Sequence, residues 1–125
     1  MFRLTQGGSI APDAIASGHL SKSRQELVLA YIGDNLSHDI GLDELASLCG
    51  LTRFHFARGF KATFHKPPHQ YILSRRLENA MALLANSRLP ISKIASASGF
   101  NGASQFARSF KAATGKTPLE FRRNA

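Results

Sequence analysis

Cysteine is nearly missing from this 125-residue chain, which carries Cys49 alone, and tryptophan is missing altogether. One cysteine cannot close an intrachain disulfide, and no Cys/His group has zinc-finger spacing, so neither a disulfide framework nor a metal site is expected. A reducing cytoplasm is the expected compartment. Nowhere do roughly eighteen apolar residues run together, the length a membrane-spanning helix needs. The N-terminal stretch "MFRLTQGGSIAPDAIASGHL" has one early arginine but no continuous apolar segment of the export type. Also lacking is any coherent Ser/His/Asp set, carboxylate pair or glycine-rich phosphate loop, so no enzyme and no cofactor are expected.

Acidic residues are the remaining scarcity. Eight Asp and Glu stand against sixteen Lys and Arg, a net charge of +8 and a pI near 10.4. Such a balance is the electrostatic footprint of a protein that meets a polyanion, with nucleic acid or an anionic membrane as the leading partner classes. The imbalance is also segregated. Residues 53 to 76 hold six Lys or Arg and no acid, whereas residues 25 to 52 hold five acids and no base. Charge serving solubility alone would be mixed.

The apolar content of 43% suffices for a packed core, and much of it is written twice. "FARGFKATFHKPPHQY" begins at Phe56, and "FARSFKAATGKTPLEF" begins fifty residues later at Phe106. Ahead of each lies a short apolar segment and a glycine. In "GLDELASLCGLT", Leu42, Leu45, Ala46 and Leu48 form an inward helical face before Gly50; in "PISKIASASGF", Ile91, Ile94 and Ala95 do the same before Gly99. Two short helices joined by a glycine-containing turn are a helix-turn-helix. The offset is 49 before the turn and 50 after it, so the second copy carries one extra residue near position 101 or 102.

The expected organisation is all-α, two helix-turn-helix subdomains joined by a central helix. Residues 1–22, rich in Gly, Ala and Ser, form a flexible tail or interdomain linker. The first subdomain spans 23–66 and opens on a helix from Ser23 to Leu36. Ser23 and Glu26 make its capping box, and Leu27, Val28, Tyr31, Ile32 and Leu36 make its apolar face. Pro67 and Pro68 start a connecting helix over 67–88, with Leu77, Met81 and Leu84 on a stripe that packs against both subdomains and with Glu78 and Asn79 exposed. About 19 helical residues are roughly 28 Å long, near the roughly 34 Å between successive major grooves on one face of DNA. The second subdomain spans 89–125 and ends on a helix capped by Thr117, Pro118 and Glu120.

Large aromatics go inside, so Phe56 and Phe60, like Phe106 and Phe110, belong to the core. At 100° per residue the opposite face then shows Phe54, Ala57, Arg58 and Lys61 in the first copy and Ser104, Ala107, Arg108 and Lys111 in the second. Small residues let a helix backbone approach base edges, and a central arginine can take guanine O6 and N7 together. Arg75, Arg76, Arg122 and Arg123 are open to either a phosphate contact or a structural one. His65 and His69 are expected at two different helix ends, and Cys49 is expected to pack.

The blocks "LDELASLCGLTRFHFARGFK" and "ISKIASASGFNGASQFARSFKAATGKTPLEFRR" resemble the double helix-turn-helix DNA-binding domain of the AraC/XylS family of bacterial transcription regulators. The likeness covers about Gln25 to Arg123, and the second block holds the ordered signature Ile-Ala, Gly-Phe, Phe-x-Arg-x-Phe-Lys, Gly-x-Thr-Pro and Phe-Arg. The resemblance implies a first recognition helix from Thr52 to about Thr63, with Thr52, Arg53, Phe54, Ala57, Arg58 and Lys61 at the DNA. It implies a second from Asn101 to about Ala113, with Asn101, Ala103, Ser104, Gln105, Arg108 and Lys111. His65 stands where the second copy has Gly115, Pro67 replaces a cap like Thr117, and Gly102-Ala103 are small, so the second helix is expected to read fewer bases.

Sequence-specific double-stranded DNA binding and regulation of transcription in the bacterial cytoplasm, associated with the nucleoid, follow as expectations. A basic helical adaptor that binds mainly protein, such as RNA polymerase, is the competing reading, and steep salt dependence separates the two. By resemblance, members of the family often carry a separate effector or dimerisation domain, so the chain is expected to be either a module that belongs with one or a short stand-alone member.

Overall fold

The computed structural model describes residues 18–125, which contain seven α-helices and no strand. The expected tail at 1–22 lies almost wholly outside the described residues. The helices are α1 (Lys22–Asp34), α2 (Leu42–Leu48), α3 (Arg53–Phe64), α4 (Pro68–Asn86), α5 (Ile91–Ala97), α6 (Ala103–Thr114) and α7 (Pro118–Arg123). The chain divides into two compact units. One runs to Asp34 and resumes over Ile40–Tyr71; the other holds Asn35–Asp39 and Ile72–Ala125. The division falls inside α4, whose first turn belongs to one unit and whose remainder belongs to the other.

In the first unit, Val28 and Ile32 of α1, Leu45 and Ala46 of α2, and Phe56 and Phe60 of α3 are buried. Phe60 packs edge-on against Tyr71, with ring centroids 5.5 Å apart, and lies 4.5 Å from Phe64. Leu20 joins this core, and its backbone N–H donates to Thr63 Oγ1 at 2.9 Å. The start of α1 departs from expectation. The hydroxyl of Ser21, not Ser23, accepts the N–H of Arg24 at 3.3 Å. The helix thus begins two residues before the Ser23–Glu26 pair could cap it. Leu27 is 46% exposed, because it lies a full 100° step away from the stripe that Val28 and Ile32 bury.

The second unit repeats the plan. Leu77, Ala80 and Leu84 of α4, Ile94 and Ala95 of α5, Phe100, and Phe106 and Phe110 of α6 form one buried cluster, with Met81 and Phe121 packed against it. The stripe of Leu77, Met81 and Leu84, expected to pack against both subdomains, thus lies in the second unit's core. Asn79 is half-buried, with its side-chain amide 3.5 Å from the hydroxyl of buried Ser98, so it is not the freely exposed position expected. The terminal capping box forms as expected: Thr117 Oγ1 accepts the Glu120 N–H at 3.1 Å, and Glu120 Oε1 accepts the Thr117 N–H at 2.8 Å. The Thr117 N–H first, and the Thr117 hydroxyl after it, hold the Glu120 carboxyl below its usual range.

Each unit turns its helix pair on a left-handed glycine, Gly50 at φ +67° and Gly99 at φ +89°. Gly99 has a second reason to be glycine. A Cβ there would lie 2.1 Å from the Leu36 carbonyl oxygen and 2.5 Å from Arg76 Nε.

Candidate nucleic-acid interface

The helix α3 starts where Thr52 Oγ1 accepts the His55 N–H at 3.2 Å, satisfying one of the amides that a helix start leaves free. It ends at His65, which holds φ +66°, a conformation that costs any residue with a Cβ. With Phe56 and Phe60 buried, the other face carries Phe54, Arg58 and Lys61 to solvent and leaves Ala57 half-buried. Phe54 is 62% exposed, an uncommon position for an aromatic ring, and the Arg58 guanidinium lies over it at 5.3 Å from the centroid. This cation–π contact narrows the arginine's rotamer freedom before any ligand arrives.

Arg53, at the first position of α3, is not a free cation. Its Nε and one terminal nitrogen donate to the two carboxylate oxygens of Asp43 on α2, each at 2.8 Å. The two hydrogen bonds hold the Asp43 carboxyl below the usual carboxylate range and raise Arg53. Sequence reasoning placed Arg53 at the DNA and missed Asp43. The acid and the base are ten residues apart on different helices, and only the turn between α2 and α3 brings them together.

The helix α6 presents Ala103, Ser104, Gln105, Arg108 and Lys111 to solvent, with Ala107 half-buried. Its start differs from expectation. Asn101 does not cap it; the helix begins at Ala103 after Gly102, which takes φ +105°. Asn101 instead donates its backbone N–H to Gln105 Oε1 at 2.7 Å. The extra residue of the second copy is thus absorbed by a glycine conformation that most residues cannot adopt. Gln105 is exposed, yet its oxygen is committed to the turn. Ser104 occupies the place of Phe54, so Arg108 has no ring four residues before it.

The remaining cations sort by what they hold. Arg76 donates to the carbonyls of Leu36 at 3.0 Å and His38 at 2.6 Å, and its partial burial lowers its pKa. Arg122 donates to the carbonyls of Leu84 and Ser87 near the end of α4. Both serve the backbone. Arg123 is exposed, and Arg75 lies 3.7 Å from Glu78. His65 ends α3 and His69 stands in the first turn of α4, the two helix ends expected. Cys49 is buried, and that burial raises its pKa, as packing rather than thiol chemistry predicts. No helix of the described residues is long and apolar enough to cross a membrane.

Two helix-turn-helix units, each with an exposed basic helix behind a buried phenylalanine pair, define a double helix-turn-helix DNA-binding module. Residues 45–124 match the family described as Helix-turn-helix domain. Over 95 residues the chain is 33% identical to the HTH-type transcriptional activator AarP of Providencia stuartii, covering 76% of this chain and 70% of that protein. It is 34% identical over 95 residues to the probable transcriptional regulator LumQ of Photobacterium leiognathi, again 76% of this chain but 38% of LumQ. The chain thus spans well under half the length of that longer relative. The DNA-binding domain of AdpA, solved in complex with a target DNA, shares the fold with a TM-score of 0.77 at 23% identity, over 83% of this chain and 93% of that one. The chain belongs to the AraC-type helix-turn-helix family of DNA-binding transcription regulators.

Proposed function

We propose that α3 and α6 enter successive major grooves of one asymmetric DNA site, and that Arg58 and Arg108 each read a guanine there. The observation that carries this reading is a repeated strip of exposed arginine and lysine beside a half-buried alanine. At an offset of fifty residues, both units set an alanine, an arginine and a lysine opposite their buried phenylalanines. A helix with small residues at its centre lies close to base edges, and an arginine between them suits the paired acceptors of guanine. Phe54 adds an apolar surface fit for a thymine methyl group in the first half of the site. Thr52, Lys61, Asn101, Ala103, Ser104 and Lys111 line the same faces and would supply phosphate and close backbone contacts.

Differences between the two helices support a site with unlike halves. Gln105 spends its oxygen on the turn, Ser104 offers no ring, and Ala103 stands where Arg53 stands, so the second half should be read through fewer side chains. The basic surface favours DNA over a purely protein partner. Contact with RNA polymerase, and a companion effector or dimerisation domain in the whole protein, belong to this reading as the means by which such a module regulates transcription in the nucleoid.

Selection of bound duplexes from random DNA at a stated salt concentration, followed by footprinting, tests the proposal. An asymmetric site protected across two neighbouring grooves is expected, with affinity falling steeply as salt rises. Protection of a single groove, or affinity indifferent to salt, would overturn it.

A further inference from the structure

The charge pattern of the first unit contains a contradiction. A helix meant for a polyanion carries at its first position an arginine whose Nε–Nη2 edge, the one suited to a two-point anion contact, is already engaged by a carboxylate. Asp43 takes two hydrogen bonds from Arg53 at 2.8 Å, the fork-on-fork geometry that a phosphate would otherwise occupy. The pair is not a buried strut: the side chains are 63% and 72% exposed. An exposed ion pair contributes little to stability and exchanges readily for another anion. The second unit has no such device. Counting back 49 and 50 residues, Ser92 and Ala103 stand where Asp43 and Arg53 stand.

Resting on the DNA-binding reading above, we propose that Asp43 is an internal competitor for phosphate. It holds the Nε–Nη2 edge of the Arg53 guanidinium in a carboxylate fork, so that Arg53 takes a phosphate in the same two-point, charge-neutralising way only by giving up Asp43. The contact is then nearly neutral on DNA of any sequence and forms where the base contacts of α3 hold the helix deep in the groove. Asp43 is thus a positioning residue that lowers non-specific binding and leaves discrimination to Arg58 and Phe54.

Counterion release makes the exchange measurable. Each phosphate neutralised contributes a slope of about −0.9 to the dependence of log K on log salt. In Asp43→Asn, Arg53 is released, and the slope on a mixed-sequence duplex should steepen by about 0.9. Its affinity advantage over the parent should shrink about 3.5-fold between 50 and 200 mM salt, as that slope requires. In the Arg53→Ala background the same Asp43→Asn change should have no effect on the slope. Thermal melting of all four proteins controls for folding.

An unchanged slope in Asp43→Asn would make the pair a brace between α2 and α3 and overturn the proposal. A gain that persists without Arg53 would overturn it differently, leaving Asp43 as a simple repulsive charge. If the parent protein shows no salt-dependent affinity for DNA, the DNA-binding reading itself fails, which is a separate and recognisable outcome.

Discussion

The two units use one core and two different doorways. Phe56 and Phe60 in the first, and Phe106 and Phe110 in the second, are completely buried at matching positions. The entry to the exposed helix is built twice by unlike means: a threonine cap with a carboxylate-bound arginine at α3, and one extra residue, a positive-φ glycine and a folded-back glutamine at α6. The difference teaches that packing tolerates little variation where rings interlock, whereas a solvent-facing helix start can satisfy its free amides in several ways. On the reading proposed above, the entry is also where each helix meets DNA, and freedom in capping would then become freedom in recognition.

The sharpest break of the comparison lies at the turn glycines. Gly99→Ala should cost about 5 kcal/mol, the exceptional end of single substitutions, because its Cβ would strike the Leu36 carbonyl. Gly50→Ala, with φ +67° but nothing within 4 Å, should cost only about 1–2 kcal/mol, the strain of a left-handed alanine. Urea denaturation of both variants measures the gap; equal losses would mean that the two turns are equivalent after all.

Symmetry should hold in the cores. Phe60→Ala and Phe110→Ala should each destabilise by about 3–5 kcal/mol, since both remove a fully buried ring from an aromatic cluster. A loss confined to one of them, in the same denaturation experiment, would show that the duplicated cores carry unequal weight.

On DNA, Arg58→Ala and Arg108→Ala should each weaken binding by about 1–3 kcal/mol and relax preference at one base pair in opposite halves of the site. Competition assays with single-base variants of the selected site read this directly. Uniform weakening on every sequence would make the arginines phosphate anchors.

The smallest effect concerns the ends of the same helices. His65 holds φ +66° where the second unit uses Gly115 at φ +81°. His65→Gly should stabilise by about 1 kcal/mol, relief of left-handed strain less the added entropy of an unfolded glycine. A lower melting temperature for the variant would mean that the imidazole contributes more than its backbone strain costs.

The fold is largely legible in the amino-acid sequence. Phenylalanines four residues apart, glycines after two short apolar segments, and the Thr117-Pro118-Glu120 cap all act through neighbours within one or two helical turns. Their structural meaning is therefore contained in local sequence. The start of α1 was misplaced because Ser21 and Ser23 offer the same hydroxyl, and the docking of Leu20 against Thr63 favours the earlier one. Likewise Asn101 and Gly102 both resemble helix starts; the glutamine folding back from the first turn decides between them.

What the sequence determined by itself is the duplicated plan, the buried rings and the basic face opposite them, because helical periodicity converts spacing into direction. What only the tertiary structure decided is the employment of the long cations. Arg53 meets Asp43, Arg76 meets the Leu36 carbonyl forty residues away, and Arg122 meets Leu84 thirty-eight residues away. Alike in composition, these side chains differ in task because a flexible guanidinium bonds whichever acceptor folding brings within about 3 Å, and that proximity is not written in local spacing.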